Sequence, residues 1–241
     1  MIFNKFRSLR KIIFYNRFTA YSDIRLKEFA RMVADVVKDG ESILDAGAGE
    51  CQYKPYFKHA KYTAQDLGIG DKTWDFSQID IKSEIYDIPV ANNSFDYILC
   101  LEVMEHLKYP HRAFKEFSRI LKSGGKLFVV CPLTWSEHQI PYDYFRYTRY
   151  ALQMLANDND FVAEKIEAMG GRFIVLAQII HETFNLALGF LYQNRLRYLG
   201  YFCKIIFFPF LFVLLFSLYY LDALDKEKHL TMQYECIFIR K

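Results

Sequence analysis

Short apolar runs alternate with helical patterns through most of this sequence. That alternation restricts the chain to an α/β fold with a mostly parallel sheet covered on both faces. Ser42–Ala46 reads as a buried strand running into a glycine turn. Tyr62–Gln65 is a second strand, ending at Asp66, and a third, short one is expected around Trp74–Asp80. Phe95–Leu101 (FDYILCL) and Lys126–Cys131 (KLFVVC) are strongly apolar strands, Phe173–Ile180 reads as another, and Tyr234–Arg240 alternates as the last. Between them, Ser22–Lys38 is an amphipathic helix that Ser22 can cap and Gly40 ends. Pro110–Leu121 and Thr148–Asn157 are helical, and Ser123-Gly124-Gly125 is a turn.

Length and composition set outer limits. The 241 residues suit one large domain, or one domain with an appendage, and 52% apolar content supports a folded core. The five cysteines are odd in number, scattered and without a CxxC pair, which argues against a disulfide framework and a zinc site. They favour a reducing compartment, and no metal ligand set is expected. A net charge of +3 excludes bulk attraction to nucleic acid. Met1–Ser22, however, carries Lys5, Arg7, Arg10, Lys11 and Arg17 and no acid, a local +5 that leaves about −2 on the rest. Ile2, Phe6, Leu9 and Ile13 share one helical face of that segment, the pattern of a short interfacial helix on an anionic surface. Packing on its own domain is the alternative. The charges interrupt any secretory apolar core.

The first strand ends in Ile43-Leu44-Asp45-Ala46-Gly47-Ala48-Gly49-Glu50-Cys51. Its glycines allow a tight turn and close approach to a ligand. The dinucleotide fingerprint needs a third glycine where Gln52 stands, so nicotinamide binding is disfavoured. Asp45 would repel a pyrophosphate but suits a cationic ligand. Asp66, 17 residues past Gly49, can accept hydrogen bonds from both hydroxyls of a ribose; a helix cap is the alternative.

The run LDAGAGE, the QD at Asp66, SEIYDIPVANNSFDYILCLEVMEHL and RILKSGGKLFVVCP together resemble a class I S-adenosylmethionine-dependent methyltransferase of the type 11 subgroup. The resemblance covers about Glu41 to Ile180 plus the last strand. It implies a Rossmann-like, doubly wound sheet of seven strands with the last antiparallel. It also implies that Asp45, Gly47 and Gly49 line the methionine part of the cofactor and that Asp66 holds its ribose. Glu84 and Ile85 would lie at the adenine. Leu101 and Glu102 would close the site, with His106 nearby. Cys51 departs from the family, which often has a third glycine there.

Beyond the Lys126–Cys131 strand, His138, Tyr142, Asp143, Tyr144, Arg146 and Tyr147 fall within ten residues, a suitable lid over an acceptor. The segment resembles methyltransferases with an HxxPxDxFRYT-like run, some associated with bacterial surface-glycan or lipid-linked biosynthesis. Methyl transfer is largely positioning, and a hydroxyl acceptor gains from a nearby base. His138 is the best base candidate, His106 a second, and Asp143 an orienter. Tyr142 and Arg146 are candidate acceptor contacts, Arg146 for an anionic group. A structural Asp143–Arg146 ion pair capping the next helix is the alternative.

Thr183–Leu221 holds 13 aromatics, three basic residues and no acid, and Ile205–Leu221 is uncharged for 17 residues around Pro209. A single crossing would strand the last sheet strand across a bilayer. Phe184–Leu199, with Gln193, Asn194, Arg195 and Arg197, reads as a poor span. The expectation is a monotopic hairpin bent near Pro209; an oligomer interface or a cover over the protein's own core is the alternative. The expected organisation is a basic segment (1–21), a methyltransferase domain (22–182), a hydrophobic insertion (183–231) and the last strand (232–241). The expected activity is S-adenosylmethionine-dependent methylation of an amphipathic or lipid-linked acceptor, with O-methylation first, at the cytoplasmic face of the membrane. Nucleic acid is not an expected partner, and the oligomeric state is open. A soluble acceptor or a non-catalytic cofactor-binding scaffold are the alternatives.

Overall fold

The computed structural model describes residues 19–71 and 73–241. The basic N-terminal segment expected to form an interfacial helix lies outside them. The described chain divides into two compact units. One comprises Leu26–Met169 with Gln233–Lys241, and the other Gly170–Met232 with the described residues before Leu26.

The first unit is built on seven strands: β1 (Ser42–Ala46), β2 (Lys61–Asp66), β3 (Ile81–Lys82), β4 (Phe95–Leu101), β5 (Leu121–Pro132), β6 (Phe161–Met169) and β7 (Gln233–Arg240). Their spatial order is β3-β2-β1-β4-β5-β7-β6. The pairs from β3 through β5 are parallel, and β7 is antiparallel to both neighbours. The sheet is therefore the expected mostly parallel, doubly wound one. The strand order reverses between β1 and β4, and in such sheets the crevice at their carboxyl ends is where ligands bind.

Both faces are sealed by aromatics. Helix α1 (Tyr21–Val36) brings Phe29 edge-on to Phe128 of β5, with ring centroids 6.3 Å apart. Across the sheet, α2 (Pro110–Ile120) inserts Phe114 between Phe161 and Phe238, at 5.9 and 5.6 Å. Helix α3 (Arg149–Asn157) adds Leu152 and Leu155, and the Thr148 side chain caps it by accepting from the Ala151 amide. Each such Phe contributes roughly 2–3 kcal/mol by leaving water.

Three expectations need correcting here. The third strand is Ile81–Lys82, just beyond the predicted stretch. Ser123-Gly124-Gly125, expected as a turn between a helix and a strand, is part of β5, whose pairing with β4 shifts register between Phe95 and Tyr97. Phe173–Ile180 is not a strand. It is the start of α4 (Arg172–Gln193), and the strand occupying the sheet edge is β6. An eight-residue β-branched run fits either structure by pattern. Here Asp222 accepts from the Gly171 and Ile174 amides and Asp225 from Arg172, so the orphan donors of a helix start are satisfied.

The second unit is an antiparallel pair, α4 and α5 (Arg197–Leu221). Phe173, Ala177, Ile180 and Phe184 pack with Phe208, Leu211, Leu215 and Leu218. Near the reversal, a Cβ on Gly200 would lie 2.5 Å from the Tyr192 ring, so only glycine lets the helices close there. The reversal occurs at 194–196, where Arg195 adopts φ +63° and the Asn194 side chain bonds the Phe190 carbonyl. The expected bend at Pro209 is absent; Pro209 sits within a continuous helix. The polar residues read as spoiling a span instead form this turn, and the apolar helix begins upstream of them. The insertion leaves the sheet at Met169 and rejoins it at Gln233, its partner in the ladder.

Candidate active site

The turn after β1 is fixed by backbone geometry. The Gly47 and Ala48 amides both donate to the Gln65 carbonyl, at 2.9 and 3.0 Å. Gly47 has φ +77°, and a Cβ there would lie 2.5 Å from Val103. Asp66 braces the turn: one carboxylate oxygen accepts from the Gly49 amide at 2.9 Å, the other from Gly68 at 2.6 Å. Each oxygen keeps a lone pair for a further donor. Cys51, the departure from glycine, nevertheless takes φ +55°. Trp74, which the sequence did not flag, lies over the turn, its ring 3.8 Å from where a Gly49 Cβ would be.

The other predicted cofactor residues divide. Asp45 is 2% exposed and accepts a 2.5 Å hydrogen bond from the Tyr62 hydroxyl. Burial pushes its carboxyl up to about 7 against that bond. It supports the turn from beneath. Ile85 is buried in the core while Glu84 is exposed, so one packs the sheet and the other faces solvent. Leu101 is buried at the end of β4. Glu102 follows with φ +56°, and burial pushes its carboxyl up to about 7, against the nearby Arg146 charge, which lowers it.

Beyond Glu102 a single 3-10 turn, Met104–His106, meets the lid segment. The Glu105 carbonyl accepts from the Tyr144 and Phe145 amides, the Tyr147 hydroxyl donates to the Met104 carbonyl, and His106 Nδ1 bonds the Tyr142 carbonyl at 2.6 Å. These bonds bring His138 beside His106, with ring centroids 4.7 Å apart. Asp143 accepts from the His138 amide at 3.0 Å and stands 3.4 Å from its Nδ1. Arg146 donates to both Asp143 oxygens, at 2.6 and 2.7 Å, and holds that carboxyl well below the usual range. Its remaining donors go to the Trp135, Ser136 and Phe145 carbonyls. Arg146 is thus committed to shaping the lid, which corrects its reading as an anion clamp. Tyr142 reaches the site through its backbone carbonyl, and its side chain is exposed.

Sequence reasoning missed Glu105. It is fully buried, and among the described residues neither carboxylate oxygen has a hydrogen-bond partner. Its Oε1 lies 3.8 Å from His106 Nε2 and 4.0 Å from His138 Nε2. Burial first, and the Glu102 charge second, push its carboxyl well above the ordinary carboxylate range. Burial likewise lowers the His106 pKa. The ligating atoms of Glu105, His106 and His138 all lie within 4.8 Å of one another, contrary to the expectation that no metal ligand set would assemble. The only sequence signal was Glu105 standing next to His106 and three residues after Glu102. Val103, between the two carboxylates, is also the residue against Gly47, so turn and cluster adjoin.

Residues 44–129 match the Methyltransf_11 methyltransferase domain. An uncharacterized protein of Methanocaldococcus jannaschii is 34% identical over 36% of this chain and 39% of its own length. A ubiquinone biosynthesis O-methyltransferase of Coxiella burnetii is 29% identical over 44% of this chain and 48% of its own. The chain thus spans less than half the length of these curated relatives. The solved structure of the [4+2]-cyclase SpnF aligns with TM-score 0.54 and 15% identity, covering 89% of this chain and 81% of that one. Phosphoethanolamine N-methyltransferase 2 of Haemonchus contortus, in complex with S-adenosyl-L-methionine, aligns at 0.52 and 17%, covering 95% and 55%. The matched methyltransferase segment, the strand order and the glycine turn make this chain similar in fold to class I S-adenosylmethionine-dependent methyltransferases.

Proposed function

We propose that the chain methylates a hydroxyl group of an amphipathic acceptor at the cytoplasmic face of a membrane. The observation that carries this reading is the shared wall at Val103. It sets a glycine turn fit for the cofactor beside a His–Glu cluster, built around the buried Glu105, fit for proton transfer. The free lone pairs of Asp66 suit the two ribose hydroxyls, and the positive φ of Gly47 and Gly49 keeps the turn clear of side chains.

S-adenosylmethionine supplies a methyl group already activated on a sulfonium and departs as a neutral thioether. The protein's work is therefore alignment and proton removal. The acceptor oxygen forms the new C–O bond as the C–S bond breaks and its electron pair goes to sulfur. The hydroxyl proton passes to His138 Nε2, with Asp143 holding the opposite face of the ring. The lid excludes water from the junction.

The membrane link rests on the hairpin. Its helices have 22 and 25 residues, about 33 and 37 Å at 1.5 Å per residue, against a hydrocarbon core of about 30 Å. Less than a quarter of the most apolar stretch of either is buried. Gln178, His181, Glu182 and Asn185 form one polar stripe on α4, paired at i,i+4. A full crossing would put Glu182 near the bilayer centre, whereas a hairpin lying in the interface turns the stripe to the headgroups. The relative named for ubiquinone biosynthesis and the surface-glycan resemblance both favour lipid-linked acceptors.

The test is full-length protein with methyl-labelled S-adenosylmethionine and a total membrane extract, with Asp66→Ala as control. Enzyme-dependent label in the organic phase is expected. Label confined to water-soluble products would transfer the proposal to a soluble acceptor, with the hairpin as a subunit interface. Cofactor binding without label in any fraction would favour a scaffold.

A further inference from the structure

We propose that Glu105, His106 and His138 bind a first-row divalent cation of the Mn²⁺, Fe²⁺ or Zn²⁺ class, with Glu102 as a fourth ligand. Glu105 is fully buried. A carboxylate removed from water with both oxygens unpartnered is costly, and native structures satisfy such groups. A proton alone does not satisfy it. His106 Nε2 and His138 Nε2 are 3.8 and 4.0 Å from Oε1, beyond hydrogen-bond range.

Those distances suit a shared cation instead. Two ligands about 2.1 Å from one ion stand roughly 3–3.5 Å apart, so each histidine must close on Glu105 by about half an ångström and the two histidines on each other by about 1.3 Å. Both imidazoles are set for the task. Nδ1 of His106 is taken by the Tyr142 carbonyl, and Nδ1 of His138 faces the Ser136 carbonyl and the Asp143 carboxylate. That fixes both Nε2 lone pairs towards Glu105, and a second-shell carboxylate or carbonyl on the far nitrogen is the usual companion of a metal-bound histidine. Arg146 in turn pins Asp143.

Charge and donor type narrow the ligand. Glu102 has a buried, unpartnered Oε1, and its charge acts on Glu105. Two carboxylates and two neutral imidazoles balance a divalent ion. The nitrogen pair disfavours Mg²⁺ and Ca²⁺, which prefer all-oxygen sites. With the cation bound, His138 Nε2 is a ligand and no longer the base; the open position of a site with so few protein ligands takes the acceptor oxygen, whose proton the cation makes easier to lose. That last consequence rests on the methylation reading; the cation site itself does not.

The test is titration of Mn²⁺ alone into chelator-stripped full-length protein, followed by the electron paramagnetic resonance of free Mn²⁺, with Zn²⁺ calorimetry alongside. One equivalent should bind. Glu105→Gln and His138→Ala should each weaken it at least ~tenfold, with S-adenosylhomocysteine affinity retained. His138 is partly exposed, so its variant decides the matter if Glu105→Gln does not fold. No binding by the native chain, or unchanged binding in both variants, overturns the proposal. Cation binding without methyl transfer would instead refute the activity and leave the site standing.

Discussion

Sheet and hairpin are both rich in phenylalanine and treat it in opposite ways. Phe114, Phe117 and Phe238 of the sheet unit are fully buried, whereas Phe202, Phe207 and Phe210 of α5 are 60, 53 and 72% exposed. The sheet hides its apolar surface because strands and flanking helices interdigitate around it. The hairpin has only two helices, so each can bury one stripe against the other. Its ends are pinned by polar bonds, Asp222 and Asp225 to the first turn of α4, rather than by a surrounding core. The sheet unit therefore carries its own stability, and the hairpin presents surface for something else to cover.

The largest effect that would test this contrast is core truncation. Phe114→Ala should cost about 3–5 kcal/mol in urea unfolding, while Phe210→Ala should change unfolding in water by less than about 0.5 kcal/mol. A comparable loss at both positions would mean that Phe210 is already covered in solution, by a second copy.

Next is the pH dependence of the sheet unit. The folded-state pKa of Asp45 is raised from 3.8 to about 7, so the folded chain binds this proton more tightly than the unfolded one. Its contribution is fully present below about pH 4 and is lost as pH rises through 7. Asp45→Asn keeps an acceptor for Tyr62 and removes the titration. Wild type should lose up to about 4 kcal/mol relative to the variant between pH 4 and 8, at 1.36 kcal/mol per unit. Parallel unfolding curves across that range would contradict the burial of this charge.

On the hairpin side, replacing Phe202 and Phe210 together with serine should weaken vesicle binding by tenfold or more, since each buried Phe contributes about 1.5–3 kcal/mol. The fold of the sheet unit should not change, as read by its unfolding midpoint. Smallest is Gly47→Ala. The left-handed conformation costs about 1–2 kcal/mol for an L-residue, and Val103 must move as well. Cofactor affinity should fall measurably in calorimetry; an unchanged value would show slack where the turn leaves none.

The same contrast explains what could be read in advance. Strands such as FDYILCL and KLFVVC are buried on both faces, so their apolar runs are local signals. Asp66 and the glycines sit at strand ends that the pattern locates. Strand β6 was missed because it lies at the sheet edge and is rich in Lys and Glu, and a register shift between Ala163 and Lys165 breaks its alternation. Helix α4 was misread because its apolar first half has no flanking polar period, and its N-terminal caps lie some fifty residues downstream. Glu105 escaped because its burial is created by the lid, through bonds from Tyr144 and Phe145 that no local pattern announces. Arg146 was given the wrong task for a similar reason. Its partners Asp143, Phe145, Trp135 and Ser136 are close in sequence, but the curl of the lid decides that together they take all its donors.

The most direct test of the account is a flotation gradient. Full-length protein is incubated with methyl-labelled S-adenosylmethionine and vesicles made from a total lipid extract, then centrifuged, and the label is counted by fraction. The account predicts that protein and label rise together with the vesicles, and that both stay at the bottom when Phe202 and Phe210 are replaced by serine. Floating protein without label, or label formed by protein that remains at the bottom, would contradict it.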